Sequence, residues 1–356
     1  MPVFEHPEFA RHERVVHVCN EAVGLRAIIA IHDRTLGPAI GGCRIFPYAS
    51  EDDALTDVLR LSKGMTYKNA LAGLPFGGGK SVIIIDPSQK SPQLFEAYAE
   101  ALNSFDGQYR TGEDVNFGPS DVEVLARYSP YVMGKTIGES VSGDPSPHTA
   151  AGVFAGMKAA LRQVFGSGDL SERRVAIQGV GNVGFELARL VTEAGGSVVV
   201  TDVRAESTQR AAEELGAQTV ALDAIYDEEC DVFAPCAMGG TINEESVPRL
   251  KARIVCGAAN NQLSSPAAGR RLVERGITYA PDYVVNAGGI LNASGEFFGN
   301  YDPADARRKV NGIEVTTSCI LETAAREKRP SHEVADEMAE SILAAARQNR
   351  LPAETN

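Results

Sequence analysis

Two lysines, an aspartate and a run of glycines carry the chemistry this sequence can offer. Lys68 falls on a helix-spaced stripe with Leu61 and Met65, so offsets of four and three put the three side chains on one face. An ammonium on an inward face is unusual, and the ordinary account of a lone lysine there is a packed stem with a hydrated head. Lys80 shifts that account. It follows Gly77, Gly78 and Gly79 and opens the apolar run SVIIID, and glycines ahead of a buried strand mark close backbone approach. If that helix and strand pack together, two ammonium groups face one cavity; each disfavours protonation of the other, and burial adds to the effect. One lysine could then serve as a neutral amine base while the other holds a substrate carboxylate. Asp114, in TGEDVN, is the third candidate, able to polarise an amine or a water, with a plain turn aspartate as its alternative.

A second constellation lies further on. Gly179, Val180, Gly181, Asn182, Val183 and Gly184 spell G-x-G-x-x-G between the strand VAIQ and the helix FELARLV, the flanking elements that a dinucleotide turn requires. The first glycine permits the tight turn, the second lets backbone approach a pyrophosphate, and the third lets helix and strand pack closely. The helix N-terminus offers free N–H groups to the phosphates. Asp202 ends the next strand, SVVVTD, where an acid meets the adenosine ribose and disfavours a 2′-phosphate. NAD is therefore the expected cofactor, with Arg204 as the residue that keeps NADP open. Three further strand ends carry small or polar residues: Cys236-Ala237-Met238, Gly257-Ala258-Ala259-Asn260-Asn261 and Asn286-Ala287-Gly288-Gly289. Ligands of open α/β sheets lie at such ends.

The elements that must hold these residues follow from pattern. A chain of 356 residues is long enough for two domains, and 44% hydrophobic with 23% charged residues is a globular composition. The 34 basic and 47 acidic residues give a net charge of −13, which argues against a nucleic-acid partner. No apolar run is long enough for a membrane span, and MPVFEHPEF is too polar for a secretory signal, so a cytoplasmic location is expected. The six cysteines form no C-x-x-C pair and the six histidines are scattered, so no metal site is expected. Ser50, with Asp53 three residues on, predicts a helix start; Pro92 to Asn103 predicts another helix; Ala27 to Ile31 predicts a buried strand. SGDPSP, residues 142–147, breaks the pattern and marks a domain boundary. After it, a helix over 149–164 and the strands VAIQG, SVVVTD, CDVFAP, RIVCG and ITYAP predict a parallel βαβ sheet. The tail from Pro303 reads as two helices broken near Pro330. The expected division is 1–143, 144–327 and 328–356.

GPAIGGCRIFPY, GMTYKNALAGLPFGGGK, TGEDVN, GDPSPHTAAGV, QGVGNVG, APCAMGGTIN, GAANNQL and YAPDYVVNAGG, in that order over nearly the whole chain, resemble the glutamate/leucine/phenylalanine/valine dehydrogenase family, in its branch acting on hydrophobic amino acids. The resemblance implies an α/β fold: an N-terminal α/β substrate domain, a Rossmann-type doubly wound dinucleotide domain, a catalytic cleft between them, and C-terminal residues that return to the first domain. It implies reversible, NAD-dependent oxidative deamination of an L-amino acid to a 2-oxo acid and ammonia, by a homo-oligomer. Carried over, it makes Lys80 the general base, Lys68 the partner of the substrate carboxylate, and Asp114 the acid that handles the amino-group proton. Gly41 and Gly42 become the turn beside the substrate. Arg44 and Thr149 become cofactor contacts, with Cys236, Ala237, Ala258 and Ala259 along the nicotinamide side, and Asn260 serves both cofactor and substrate. Ile40, Gly112, Ile290 and Ala293 match the side-chain pocket, and none could receive the second carboxylate of glutamate. Gly112 and Ala293 are small enough to admit a bulky or aromatic side chain, so leucine-like, valine-like and aromatic substrates all remain open. Asn116 departs from the family's usual glycine, which places the loop beside Asp114 in question.

Two rival functions share these features. A 2-hydroxy acid dehydrogenase on the same scaffold would want an acid–base histidine, and His148 is the histidine among the site segments. A catalytically silent NAD-binding protein would have no use for Lys68, Lys80 and Asp114 together.

Overall fold

A computed structural model describes residues 2–135 and 142–350. They form two compact units with interleaved segments: Met1–Asp144, Ala293–Asp302 and Ala339–Asn356 in one, Pro145–Asn292 and Pro303–Met338 in the other. The division at Asp144 falls in the segment where composition breaks. The excursion Ala293–Asp302 has no signature in the sequence, and the C-terminal return begins within a helix rather than at residue 328.

The first unit carries a mixed sheet of β1 (Arg14–Asn20), β2 (Leu25–Asp33), β3 (Ala39–Ile40), β4 (Cys43–Ile45), β5 (Gly77–Ile83) and β6 (Tyr109–Arg110). The order is β1-β2-β5-β3-β6, with β4 also on β5. β1–β2 and β2–β5 are antiparallel, and the pairs that β3 and β4 make are parallel. The continuous apolar run in β2 follows from burial on both faces. Ala27, Ile29 and Ile31 pack with Leu94, Phe95, Tyr98 and Leu102 of α2 (Pro92–Asn103) and with Val122 and Leu125 of α3 (Pro119–Leu125). Ile28 and Ala30 pack on the other face with Ala54, Leu55, Val58 and Leu59 of α1 (Glu51–Leu71). α1 starts as its sequence predicts: the Ser50 hydroxyl accepts from the Asp53 N–H at 3.0 Å, and Glu51, Asp52 and Asp53 stand against the positive end of the helix. β5 begins at Gly77, so the three glycines lie inside the strand and Lys80 stands mid-strand instead of opening it. Gly77 must lack a side chain because its Cβ would come 2.2 Å from the Asp33 carbonyl oxygen.

The later segments join this unit through named contacts. Phe297 stacks edge-on against Phe76 at 4.8 Å. The Tyr67 hydroxyl donates to Glu340 at 2.5 Å, and Arg347 pairs with Asp33.

The second unit is a six-stranded parallel sheet of β7 (Arg174–Gln178), β8 (Ser197–Thr201), β9 (Gln218–Thr219), β10 (Val232–Pro235), β11 (Ile254–Val255) and β12 (Thr278–Tyr279). Its order, β12-β11-β10-β7-β8-β9, reverses direction between β7 and β10, the doubly wound pattern with its switch point there. β9 is two exposed polar residues, which is why the apolar pattern does not show it. The helices are α4 (Ser146–Phe165), α5 (Asn182–Glu193), α6 (Ala205–Leu215), α7 (Pro266–Glu274), α8 (Asp282–Val285), α9 (Gly288–Phe297), α10 (Pro303–Asn311), α11 (Ile313–Glu327) and α12 (Ser331–Arg350). The tail after Pro303 is thus three helices, because Gly312 adds a break to the one at Pro330. Among the described residues no helix is long and apolar enough to cross a membrane.

Two histidines that are distant in sequence meet behind α1. His12 Nε2 lies 2.9 Å from Ser62 Oγ, His32 Nδ1 lies 2.8 Å from Thr66 Oγ1, and the rings stand 4.9 Å apart. Burial, aided by each other's neighbourhood and by Lys63, pushes His12 down to about 4. Burial outweighs the opposing pull of Asp33 and takes His32 to about 4 as well. Above pH 6.5 both imidazoles are neutral in the folded and unfolded chain. Between 6.5 and about 4 the unfolded chain binds protons that the folded chain refuses, so stability falls with pH, by at most roughly 3 kcal/mol for each histidine. Tm should therefore drop on titration from pH 7 to 4.5, and His32→Gln should show a shallower slope. Parallel slopes for parent and variant would reject the assignment.

Candidate active site and dinucleotide site

Strand register sorts the first site onto one face of a sheet. Lys80 stands opposite Ala30 and Val82 opposite Ile28, and both of those partners pack against α1, so Lys80 projects towards α1. Arg44 of β4 stands beside Val82 on the same face. There it meets Asp57 of α1, its Nη1 donating to Asp57 Oδ2 at 2.8 Å while Nε donates to Asp114 Oδ1 at 2.8 Å. Lys80 Nζ donates to the other Asp114 oxygen, Oδ2. The Tyr48 hydroxyl closes the row on Asp57 Oδ2 at 2.5 Å. A chain of alternating charges, Lys80–Asp114–Arg44–Asp57, therefore runs through the interior, with side-chain exposures of 4%, 9%, 12% and 20%.

Burial by itself would raise the Asp114 carboxyl. The charges of Arg44 and Lys80, with the hydrogen bonds they make, overcome burial and hold it well below the usual carboxylate range. The structure thus gives Lys80 a carboxylate as its hydrogen-bonding neighbour. Arg44, which the resemblance assigned to the cofactor, has its guanidinium committed to two aspartates inside the first unit.

The glycine turn occupies a gap in the sheet. β3 leaves β5 after Ile40↔Gly78 and β4 joins it at Cys43↔Ser81, so Gly41 and Gly42 lie alongside Gly79 and Lys80. A Cβ on Gly41 would stand 1.8 Å from the Gly79 carbonyl oxygen, and one on Gly42 would stand 2.2 Å from the Glu113 carbonyl oxygen. Only glycine fits either place. The Met65 Cγ reaches to 3.1 Å of the Gly41 Cβ position, and half-buried Lys68 follows on α1 three residues later. Asn116 takes the left-handed conformation, φ +58°, so the asparagine does what a glycine would do there. The loop Asp114–Phe117 closes on itself with backbone bonds of 3.1 and 3.0 Å. Of the pocket positions, Ile40 is buried in β3, and Gly112 is half-buried with its Cβ position 3.1 Å from the Met133 carbonyl oxygen. Ile290 and Ala293 are half-buried on α9.

The second site is built from backbone. Gly179 has φ +96° and no room for a Cβ, which would meet Ala237 at 2.7 Å. A Cβ on Gly184 would lie 1.9 Å from the Gly179 carbonyl oxygen, so its absence lets α5 seat on the turn. Gly181 is different: a Cβ there meets only the Arg204 guanidinium, at 3.5 Å, and the space beside it is open. Gly181 caps α5 with no side-chain bond to the first N–H groups, as a phosphate-binding N-terminus requires. Asp202 holds the turn, its Oδ2 accepting from the Val180 N–H at 2.8 Å and its Oδ1 from the Arg204 N–H at 2.9 Å. Asn182 and Val183 open α5, Cys236 and Ala237 follow β10, and Ala258, Ala259 and Asn260 follow β11. The Asn286 carboxamide donates to Asn260 Oδ1 at 2.9 Å and to the Ala258 carbonyl at 3.0 Å, orienting Asn260. Thr149, on the first turn of α4, donates to the Pro145 carbonyl at 3.0 Å. These features accommodate a dinucleotide: room at one glycine, uncapped N–H groups and a carboxylate at the end of β8.

Sequence reasoning passed over Asp57, Tyr48 and Glu113. Asp57 precedes Leu61 by one helical turn, so it shares the stripe of Met65 and Lys68, and a charge on that stripe was the available signal. Glu113 is pushed up to about 7 by burial and by Asp144, and its Oε1 is buried without a partner among the described residues.

Comparison with known proteins gives a consistent picture. Residues 12–131 match the Glu/Leu/Phe/Val dehydrogenase dimerisation domain, and residues 142–205 and 200–350 match the Glutamate/Leucine/Phenylalanine/Valine dehydrogenase domain. The chain is 45% identical to a leucine dehydrogenase of Bacillus subtilis over 98% of its own length and 96% of the relative's. It is 44% identical to a valine dehydrogenase of Streptomyces virginiae, over 96% of each. Among solved structures it is similar to an L-tryptophan dehydrogenase from Nostoc punctiforme, at a TM-score of 0.77 and 41% identity, covering 94% of this chain and 97% of that one.

The open space at Gly181 separates binding from folding. Gly181→Ala should keep Tm within about 2 °C of the parent, since its φ of −68° suits alanine, and should weaken NADH binding at least tenfold in a fluorescence titration. Unchanged NADH affinity would disconnect this turn from the dinucleotide.

Proposed function

The chain belongs to the Glu/Leu/Phe/Val dehydrogenase family, and from that premise we propose that it deaminates a hydrophobic L-amino acid with NAD, reversibly, through Lys80. The observation that carries this proposal is the buried set Lys80–Asp114–Arg44 beside a turn that admits only glycine. A bound nicotinamide supplies the acceptor for the hydride that leaves the substrate Cα. The residues of this chain do the rest. Lys68 holds the substrate carboxylate against the glycine turn. Once the Cα–N bond has become an iminium, Lys80, acting in its neutral form, takes a proton from the water that attacks the carbon, and Asp114 stabilises the ammonium so restored. Arg44 keeps Asp114 ionised, so the proton stays on Lys80. That proton then returns to the nitrogen of the tetrahedral adduct; as the C–N bond breaks, the adduct's hydroxyl gives its own proton to Lys80, and ammonia and the 2-oxo acid depart. In this scheme Asp114 acts as the counter-ion of the base, a role its low proton affinity suits better than that of a proton donor.

Specificity follows from what the pocket positions lack. The positions that the family resemblance assigns to the substrate side chain, Ile40, Gly112, Ile290 and Ala293, are apolar or carry no side chain, which supports an aliphatic or aromatic substrate over one with a second carboxylate. For the cofactor, Asp202 places a carboxylate where NADP would bring a 2′-phosphate, and Arg204 turns its guanidinium to within 3.5 Å of that carboxylate. Both support NAD. The match of residues 12–131 to a dimerisation domain supports self-association.

A panel of leucine, valine, phenylalanine, tryptophan and glutamate with NAD and with NADP, followed by NADH absorbance, tests the reading. Turnover should be confined to the apolar substrates and favour NAD; glutamate as the best substrate would overturn it. Lys80→Ala should lose at least about a thousandfold in kcat with NADH binding intact.

A further inference from the structure

The opposite face of the sheet, directly behind Lys80, holds a cluster of hydroxyl groups that the chemistry above does not use. By strand alternation Gly79 and Ser81 project there, and Tyr109 of β6 stands on the same face across Ala39 and Gly77. Ser81, Tyr98, Tyr109 and Thr111 are each at most 1% exposed. Ser81 Oγ and the Tyr98 hydroxyl lie 2.6 Å apart, and the Tyr109 hydroxyl lies 3.1 Å from Ser81 Oγ. The shortest bond that Tyr109 makes goes elsewhere: its hydroxyl donates to the Gly41 carbonyl oxygen at 2.7 Å. Burial raises the Tyr109 phenol to above its ordinary range, so it stays a donor.

Tyr109 therefore grips the first site at three points. Its hydroxyl fixes the carbonyl of Gly41, whose N–H is bound at 3.2 Å by the carbonyl of the next residue, Arg110. Its ring fills the space beside Gly79, where a Cβ would come 2.7 Å from it. Its hydroxyl also reaches Ser81. The two residues that flank Lys80 thus both touch Tyr109, as does the glycine turn lying against Gly79. We infer that Tyr109 is a positioning residue for deamination, setting the depth of the Gly41 turn and the placement of Lys80 from behind the sheet. The inference rests on the role proposed for Lys80 and the turn. Removing the hydroxyl leaves the Gly41 carbonyl without this donor and lets the turn relax towards Gly79. A displacement of this kind costs rate, because catalysis depends on sub-ångström placement of base and substrate. Tyr98 is the natural control: it is equally buried and shares Ser81, with no bond to Gly41.

The test compares Tyr109→Phe, Ser81→Ala, Tyr98→Phe and the parent, with each kcat referred to folded, NADH-binding protein. Tyr109→Phe should lower kcat about tenfold or more, with NADH affinity within twofold. Ser81→Ala should lower kcat about threefold, and Tyr98→Phe should lose Tm while keeping kcat within twofold. A purely structural role would move Tm in all three and leave kcat per folded molecule alone. Equal kcat in Tyr109→Phe and Tyr98→Phe would overturn the inference. If Tyr109→Phe does not accumulate folded, Ser81→Ala against Tyr98→Phe decides it, and equal kcat in that pair also overturns it. Lys80→Ala is run alongside. Retained turnover there defeats the site itself, whereas lost turnover there with an unaffected Tyr109→Phe defeats only the role of Tyr109.

Discussion

A carboxylate buried between two cations organises the first unit. Asp114 has little contact with water, and in such a place an isolated carboxyl would take up a proton. Arg44 and Lys80 prevent that, and each must come within hydrogen-bonding distance to do so. Arg44 in turn brings Asp57 and Tyr48 to its far side. The charges alternate along the row, so no member can be withdrawn without leaving its neighbour buried and unbalanced. Four pieces of chain supply the row: β4, α1, β5 and the loop before α3. The electrostatic requirement on one side chain thus becomes a geometric requirement on the elements that carry the others.

The second unit solves its problem by subtraction. Its site consists of places where a side chain is absent, at Gly179 and Gly184 because neighbouring atoms already fill the space, and at Gly181 because nothing does. The contrast separates packing from binding within a single six-residue motif. Asp202 then ties the turn to β8 through the Val180 N–H. A carboxylate offers about four lone-pair positions, so serving the turn does not exhaust it. The same group can hold the turn in shape and meet a sugar hydroxyl.

What the sequence showed and what it hid divide along distance in the chain. Gly179 to Gly184, the cap at Ser50 and the α2 limits at Pro92 and Asn103 are set by neighbours within a few residues, and they are legible. Lys68, Lys80 and Asp114 stood out because their types are costly to bury. Their direct contact was not legible because Lys80 and Asp114 are 34 residues apart and only the closing of β3, β4 and β5 brings them together. Arg44 to Asp114, at 70 residues, is the same case. The short strand β9 carries too few residues to set a period, and the excursion Ala293–Asp302 depends on Phe297 finding Phe76, which no local pattern announces.

The ion pair bears on how the proton is handled. If Lys80 and a second lysine alone faced each other, taking up a proton would be opposed at the moment it is needed, when water attacks the iminium. In the proposed deamination, with Asp114 in place, that step restores an ammonium beside a carboxylate already aligned to receive it. Arg44 then has a purpose beyond packing. Were Asp114 paired with Lys80 alone, the proton could settle on the carboxylate in a site shielded from solvent, and the base would not return it to the leaving amine. The second cation keeps the carboxylate a poor acceptor. In that proposal proton traffic is confined to the lysine nitrogen, which stands in the strand between Gly79 and Ser81.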